Sequence, residues 1–188
     1  MKRIVIIGNG IAGSTAARYL RKWTKDEIIM ISDEHPLPFA RTALMYVFMK
    51  QLRLKDTELF PGEFWEKNEI RLIQEKVVSI DPNNRSLQLL STEKIQWDRL
   101  IIATGSKPKS LSYTDFSVSG IQGFYSLSDL SRLENLEIPY ATKAIILGGG
   151  LIGVELAEMF LWRKIPFTWI ISEAAYGSHI LPVEESNL

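Results

Sequence analysis

The sequence contains no cysteine and only two histidines, His35 and His179. Without cysteine the chain has no thiolate nucleophile, redox dithiol, disulfide or iron–sulfur ligand, so any redox chemistry must come from a bound cofactor. The two histidines are far apart and have no ligand spacing around them, so the sequence predicts no metal site.

Net charge and long apolar runs are also lacking. The 22 Lys and Arg residues balance the 22 Asp and Glu residues, so no global basic field favours nucleic acid as a partner. No apolar run approaches the roughly 18 residues of a membrane span, and the run at residues 4–7 is too short for a signal-peptide core. We expect a soluble, cytoplasmic protein.

An internal repeat is the main feature that is present. Residues 4–33 align with residues 144–173 without a gap. Each copy has an apolar run, a G-x-G-x-x-G pattern and an acid about 20 residues beyond the third glycine. The glycines are Gly8, Gly10 and Gly13 in the first copy and Gly148, Gly150 and Gly153 in the second, and the acids are Asp33 and Glu173.

Each copy predicts a strand, a glycine loop, a helix and a second strand. The apolar runs suit strands that are buried on both faces, and residues 11–22 and 151–164 have helical length and composition. The predicted fold class is α/β, with two Rossmann-like dinucleotide-binding units in three layers around parallel sheets. We place the first domain at residues 1–112 and a partial second domain at 113–188.

The segment between the repeats predicts smaller elements. A helix is expected within residues 36–50, and Pro61 is expected to open another that reaches Asn68. A small antiparallel insertion is predicted from β-like runs at residues 70–73, 76–80 and 85–90. We expect residues 97–103 to rejoin the first parallel sheet, and residues 127–136 to be helical after a crossing at 107–123.

Glycine loops of this kind suit a pyrophosphate. The first glycine permits a tight turn, the second lets the backbone approach the phosphates, and the third lets the helix pack on the strand. Backbone N–H groups and the helix dipole then face the anion. The acid after the second strand can accept hydrogen bonds from a ribose diol. Glu34 adjoins Asp33 and could take this role, but the register of the repeat favours Asp33.

Four stretches carry a resemblance to a known family. They are residues 7–13, 37–41, 97–108 and 148–157. Together they resemble the FAD-dependent pyridine nucleotide–disulfide oxidoreductase superfamily, in the style of its ferredoxin-reductase-like and NADH-oxidase-like branch. The resemblance implies FAD on the first unit, NADH or NADPH on the second, and an FAD-dependent NAD(P)H reductase activity.

The resemblance also implies roles for individual residues. Arg41 would lie near the flavin and pyrophosphate, Val77 would meet the adenine through its backbone, and Glu155 would lie near the nicotinamide and flavin rings as the catalytic candidate. The residues implied to contact FAD are Gly8, Gly10, Ile11, Ala12, Gly13, Asp33, Glu34, Ala103, Thr104 and Gly105. Those implied to contact the nicotinamide cofactor are Gly148, Gly150, Ile152, Gly153 and Glu173.

Departures from the family pattern limit these expectations. The cysteine pair of disulfide reductases is missing, which excludes disulfide reduction. In the ferredoxin-reductase-like branch, a lysine commonly occupies the position of Tyr46 and pairs with the glutamate that Glu155 matches. Lys50 could take the role of that lysine only if it lies one helical turn onward on the same face. Glu173 favours NADH over NADPH, because a carboxylate repels a 2′-phosphate. The chain is also shorter than its relatives, so we expect an amino-terminal portion.

Three functions stay open. The first is hydride transfer from NADH to FAD, with electrons passing to an unidentified small-molecule or redox-protein acceptor. The second is a truncated, non-catalytic nucleotide-binding or interaction module that needs a longer chain or a partner. A single-cofactor NAD dehydrogenase is the third, and the two glycine loops disfavour it. The sequence does not decide whether the full-length form is a homodimer.

Overall fold

The computed structural model describes residues 1–108, 118, 120–136, 143–172, 177 and 181–186. Its helices are α1 (Ile11–Trp23), α2 (Leu44–Phe48), α3 (Gly62–Lys67), α4 (Leu127–Asn135), α5 (Leu151–Trp162) and α6 (Val183–Ser186). Its strands are β1 (Arg3–Ile7), β2 (Glu27–Ser32), β3 (Ile70–Gln74), β4 (Val77–Asp81), β5 (Ser86–Leu89), β6 (Lys94–Gln96), β7 (Arg99–Ile102), β8 (Ala144–Leu147) and β9 (Phe167–Ile170). Short 3₁₀ turns cover Arg41–Ala43 and Leu54–Thr57.

The chain divides into two compact units. The first consists of Met1–Arg41 and Leu54–Lys109, and the second of Thr42–Arg53 and Ser110–Leu188. Residues 42–53 therefore group with the second unit although they interrupt the first in sequence. The assignment of residues 1–112 to FAD and 113–188 to NAD(P)H stays a prediction.

The first unit is built around a parallel sheet in the order β3-β2-β1-β7. As predicted, β7 rejoins this sheet, where it pairs with β1 from Ile4–Arg99 to Ile7–Ile102. The placement of residues 70–73 in the antiparallel insertion was wrong, because β3 pairs in parallel with β2. A short apolar run does not reveal its partner, and the chain between β2 and β3, which includes α3, is long enough for a parallel crossover.

Both faces of this sheet are covered. Alternate residues of β1 and β2 point to opposite faces, and one set packs with α1 and α3, where Ala17 and Trp65 are buried. The other face packs against the antiparallel sheet β4-β5-β6. The residues buried at this second interface are Val5, Ile7, Ile29, Ile31, Leu87, Leu89 and Ile95. This three-layer α/β unit with an antiparallel insertion confirms the predicted fold class.

The second unit contains one parallel pair, β8-β9, within the described residues. Helix α5 packs on it, and α2 packs against α4 and α5. Phe48 and Phe160 make an edge-to-face ring contact, and Arg163 Nη1 donates a 2.8 Å hydrogen bond to Phe48 O. The strand–loop–helix–strand order predicted for the second repeat is therefore present.

The two repeats differ in strand register by one residue. In the first unit Ile7 pairs with Ile31, and in the second Leu147 pairs with Ile170. The gapless sequence alignment places Ile31 on Ile171 instead. The backbone bonds agree with the structural register, since Gly8 N donates to Ile31 O (2.7 Å) and Gly148 N to Ile170 O (2.9 Å).

The helix ends explain this difference. Helix α1 has 13 residues and continues into the extended Thr24, whereas α5 has 12. Lys164 adopts a left-handed φ of 55°, Lys164 N bonds to Leu161 O, and Ile165 N bonds to Phe160 O. These two bonds form a Schellman motif, which ends α5 one residue earlier and brings β9 into the sheet one residue sooner.

Helix α4 begins at a capping box. Ser126 Oγ accepts a hydrogen bond from Asp129 N (3.1 Å), and Asp129 Oδ2 accepts one from Ser126 N (2.8 Å). Partial burial raises the pKa of Asp129, but donors from Ser126, Arg132 and Tyr125 outweigh it, so this pKa lies below the usual 3.8. The carboxylate stabilises α4 at neutral pH, and the contribution is lost as the pH falls through the lowered pKa.

Leu87 tests the interface between the two sheets of the first unit. Leu87 is 1% exposed and Leu90 is 66% exposed. We expect Leu87→Ala to lower the free energy of unfolding by about 2–5 kcal/mol, because it leaves a cavity in the core. Leu90→Ala, the matched control, should change it by less than about 0.5 kcal/mol. Urea unfolding followed by circular dichroism measures both, and equal losses would contradict this packing.

Candidate dinucleotide site

The first glycine loop lies where three parallel strands end. Gly8 has a φ of +102°, and a Cβ there would lie 2.2 Å from Ala103 O. Gly8 N bonds to Ile31 O, and Ala103 N bonds to Ile7 O at 2.8 Å. Only glycine allows β1, β2 and β7 to converge this closely. Gly8 and Ala103, both predicted site residues, are thus brought together.

Gly13 brings the start of α1 against the end of β1. A Cβ on Gly13 would lie 1.9 Å from Gly8 O. Gly10, the N-cap of α1, differs, because a Cβ there would meet nothing within 4 Å. The third glycine therefore serves packing, and the second faces open space.

The amino end of α1 offers donors to that open space. Gly10 provides no side-chain cap, and the first turn carries no acid. The first N–H groups of a helix have no acceptor inside the helix, and Ile11 and Ala12 are exposed. These N–H groups, with the positive end of the helix dipole, form a site suited to a phosphate.

A buried asparagine fixes this loop. Asn9 is 7% exposed, and its Nδ2 donates a 2.8 Å hydrogen bond to His35 O. This bond ties the glycine loop to the segment that follows β2. Asn9 was not among the predicted site residues, although a polar residue between two loop glycines could have indicated a structural role.

The two acids after β2 are placed differently. Asp33 is exposed directly after β2. Glu34 pairs with Arg41: Nη1 donates a 3.0 Å hydrogen bond to Oε1, and Nη2 contacts Oε2. Arg41 also lies over the Phe39 ring, 5.4 Å from its centroid. Glu34 and Arg41 were predicted as separate site residues. In the structure they form a bidentate ion pair that orients the guanidinium group.

The remaining predicted residues of the first unit lie at strand ends. Val77 begins β4, pairs with Leu89 and is half-buried, with a register shift between Val77 and Ser79. Thr104 and Gly105 follow β7 and are exposed, and Gly105 has a φ of +71°. The 103–105 turn starts at Ala103 beside Gly8.

The second glycine loop repeats the close packing of the first. Gly148 has a φ of +111°, and a Cβ on Gly153 would lie 2.5 Å from Gly148 O. A Cβ on Gly148 or Gly150 would meet nothing within 4 Å. Ile152, in the first turn of α5, is exposed. The same backbone shape therefore recurs in both units.

Trp169 adds a contact that the sequence reasoning missed. Its Nε1 donates a 2.8 Å hydrogen bond to Gly148 O. A Cβ on Gly153 would lie 3.2 Å from the same nitrogen. The indole thus connects β9 to the glycine loop of its own unit. A tryptophan in a strand is usually predicted to be a core residue, so the sequence pattern did not predict this hydrogen bond.

The catalytic candidate Glu155 lies half-buried on α5. Tyr46, which replaces the expected lysine, is exposed on α2. Lys50 forms an ion pair with Glu134 on α4, so the partner of Lys50 is this glutamate and not Glu155. Glu173 lies outside the described residues, and its role stays a prediction.

Within the described ranges, no helix combines the length and apolar character that crossing a bilayer requires. In that same part of the chain, no three His, Asp or Glu side chains are grouped to hold a metal ion.

Comparisons with known proteins agree with this geometry. The profile of the pyridine nucleotide-disulphide oxidoreductase family matches residues 2–184. The NADH-rubredoxin oxidoreductase of Clostridium acetobutylicum is 37% identical over 166 residues, which are 87% of this chain and 42% of the relative. The ferredoxin–NAD(+) reductase subunit of the benzene 1,2-dioxygenase system of Pseudomonas putida is 30% identical over 173 residues, 91% of this chain and 42% of the relative.

Solved structures show the same likeness. The crystal structure of the Clostridium acetobutylicum enzyme superimposes with a TM-score of 0.85 at 31% identity, covering 99% of this chain and 48% of that one. The chain spans less than half the length of these relatives.

The free energy of unfolding can distinguish the packing role of Gly13 from the open position of Gly10. We expect Gly13→Ala to lower the free energy of unfolding by about 1–3 kcal/mol or more, because the methyl group would displace a backbone carbonyl. Gly10→Ala should cost less than about 1 kcal/mol, since its Cβ enters open space. Urea unfolding without added nucleotide measures both. If Gly10→Ala were the more damaging change, the assignment of packing to the third glycine would be wrong.

Proposed function

Because the chain belongs to the pyridine nucleotide-disulphide oxidoreductase family, we propose that it binds FAD on the first unit and NADH on the second. In this proposal it is an NADH-dependent flavin oxidoreductase, and the electrons go from the flavin to a separate acceptor. When bound, NADH supplies a hydride and FAD accepts it, which leaves NAD⁺ and a reduced flavin.

The observation that carries the proposal is the repeated glycine loop. In each unit the third glycine packs on the end of the first strand, and the second leaves open space at a helix amino terminus. A Cβ on Gly10 or Gly150 would occupy that space, so each loop fits a group that approaches the backbone itself. A dinucleotide pyrophosphate is such a group, and a family that uses two nucleotides needs two such loops.

In the first unit, we assign the following roles toward FAD. The N–H groups of Ile11, Ala12 and Gly13 donate to the pyrophosphate, and Asp33 accepts hydrogen bonds from the ribose. Arg41, oriented by Glu34, is the residue that we assign to the neighbourhood of the flavin and pyrophosphate. Ala103, Thr104 and Gly105 line the flavin side, and the Val77 backbone serves the adenine.

In the second unit, Gly148, Gly150, Ile152 and Gly153 hold the nicotinamide dinucleotide. Glu155 stays the candidate for a place beside the reacting rings, without the lysine partner common in similar enzymes. The protein then contributes ring alignment and exclusion of water and no side-chain nucleophile. Glu173 supports the choice of NADH only through its sequence position.

The electron acceptor is proposed from the relatives. Their names specify rubredoxin and ferredoxin, and the chain has no cysteine for an internal disulfide relay. A small iron–sulfur or iron protein of this class therefore suits the acceptor role, and a small-molecule acceptor is the alternative. A cytoplasmic location stays a prediction, and whether the full-length form is a homodimer stays open.

A visible absorbance spectrum tests the two-cofactor proposal. After incubation with FAD and desalting, we expect the protein to keep flavin absorbance, which should bleach when NADH is added anaerobically. Absence of retained flavin would favour the alternative of a non-catalytic module. Flavin that stays oxidised in NADH would contradict the second site.

Two substitutions assign the sites separately. Gly10→Val should abolish flavin retention, because its side chain would fill the space beside the helix amino terminus. Gly150→Val should keep flavin and slow bleaching by NADH at least about tenfold, a loss of about 1.4 kcal/mol. Gly123→Val is the matched control, since a Cβ there also meets nothing within 4 Å and it lies outside both loops. If both loop variants behaved like this control, the two-site assignment would be wrong.

A further inference from the structure

The two glycine loops are not held by the same side chains. In the first unit, the buried Asn9 donates a 2.8 Å hydrogen bond from Nδ2 to His35 O, and this bond fixes the loop. The repeat places Gly149 at the position of Asn9. Because glycine has no side chain that could donate, the second loop needs another source of order.

A second bond of the first loop has no counterpart in the sequence of the repeat. Ser14 is buried, and its Oγ donates a 2.8 Å hydrogen bond to Gly10 O. The repeat places Val154 at the position of Ser14, and a valine side chain cannot donate. Residues 148–150 are also three consecutive glycines, and glycine loses more conformational freedom on ordering than any other residue. Fixing the second loop in one conformation therefore costs more entropy.

Trp169 of β9 lies against this loop and the start of α5. Its strand partner on β8 is the buried Ile146. Trp169 Nε1 donates a 2.8 Å hydrogen bond to Gly148 O, and a Cβ on Gly153 would lie 3.2 Å from the same nitrogen. The indole therefore contacts both the first and the third glycine of the loop.

The helix approaches the loop less closely in the second unit than in the first. A Cβ on Gly13 would lie 1.9 Å from Gly8 O, whereas a Cβ on Gly153 would lie 2.5 Å from Gly148 O. The longer separation leaves Gly148 O within reach of a side-chain donor, and the indole N–H takes that place. In the second unit the meeting of helix and loop is thus secured by a hydrogen bond as well as by packing.

We propose that Trp169 is a positioning residue for the nicotinamide dinucleotide: its indole N–H holds Gly148 O and so keeps the three-glycine loop in the conformation that receives the pyrophosphate. This inference rests on the proposed function, which puts a nicotinamide dinucleotide on the second loop. Trp169 acts through the backbone and does not need to touch the nucleotide. Because an ordered loop loses less conformational freedom on binding, the bond raises the affinity for any ligand that places a diphosphate there.

Binding of NAD⁺ and ADP to the FAD-loaded protein tests the proposal without turnover. Trp169→Phe removes the N–H group and keeps an aromatic ring. Trp162→Phe is the matched control, because Trp162 is 59% exposed at the end of α5. NMR titration measures the dissociation constants. We expect Trp169→Phe to weaken both ligands by the same factor of about three to ten, since both carry the diphosphate and one hydrogen bond is lost. Trp162→Phe should change either constant by less than about twofold.

Amide hydrogen exchange separates positioning of the loop from general stability. Gly148 N donates to Ile170 O and Gly153 N donates to Gly150 O, so both amides report on the loop. Without nicotinamide nucleotide, Trp169→Phe should speed exchange at these two amides by at least about threefold and change exchange at residues 156–160 of α5 by less than about twofold. A role in packing alone would speed exchange at both places.

The unsubstituted protein gives an independent check that does not depend on the folding of a variant. If the bond from Trp169 strengthens nucleotide binding, nucleotide binding must strengthen that bond by the same factor. The Trp169 indole N–H should therefore exchange at least about threefold more slowly when NAD⁺ is bound. An exchange rate that NAD⁺ leaves unchanged would contradict the proposal.

Other results would also overturn the proposal. Weaker binding of NAD⁺ with unchanged binding of ADP would place the effect of Trp169 away from the diphosphate. Faster exchange in α5 as well as in the loop would leave Trp169 only a packing role. If NAD⁺ bound the unsubstituted protein and Trp169→Phe equally well, the inference would fail and the proposed NADH site would stand. If neither ligand bound the unsubstituted protein, both would fail.

Discussion

Both units depend on the close approach of the third loop glycine to the carbonyl of the first. A Cβ would lie 1.9 Å from Gly8 O on Gly13 and 2.5 Å from Gly148 O on Gly153. This approach sets where the helix begins relative to the strand end, and so where its first N–H groups point. The proposed phosphate binding of both units depends on it, because a larger residue would force the helix away from the loop.

The surrounding layers hold the strand ends that this contact requires. In the first unit the parallel sheet has helices on one face and the antiparallel sheet on the other, so the β1, β2 and β7 ends converge on Gly8. Asn9 then connects the loop to the segment after β2, and the Glu34–Arg41 pair lies within that segment. In the second unit, Trp169 of β9 contacts the glycine loop through its hydrogen bond to Gly148 O. The two loops thus share a backbone shape but use different side chains to maintain it.

Much of the fold could be predicted from local pattern. The strand, loop and helix of each repeat follow from apolar runs and glycine spacing, and β7 follows from its own apolar run. The partner of β3 could not be predicted, because residues 70–73 have the same composition as an antiparallel strand and only their crossover distinguishes them. The register of β9 was also hidden, since it depends on where Lys164 turns left-handed and ends α5.

The sequence by itself determined the repeat, the glycines and therefore the existence of two dinucleotide-type loops. A tight turn and a close helix approach tolerate only glycine, so glycines recur at a fixed spacing that can be recognised in the sequence. The tertiary structure decided the side-chain contacts and the strand register: the pairing of Glu34 with Arg41, the bond from Trp169 to Gly148, and the register of β9 against β8. These depend on contacts between distant segments and on a one-residue change in helix length, and neither leaves a local pattern in the sequence.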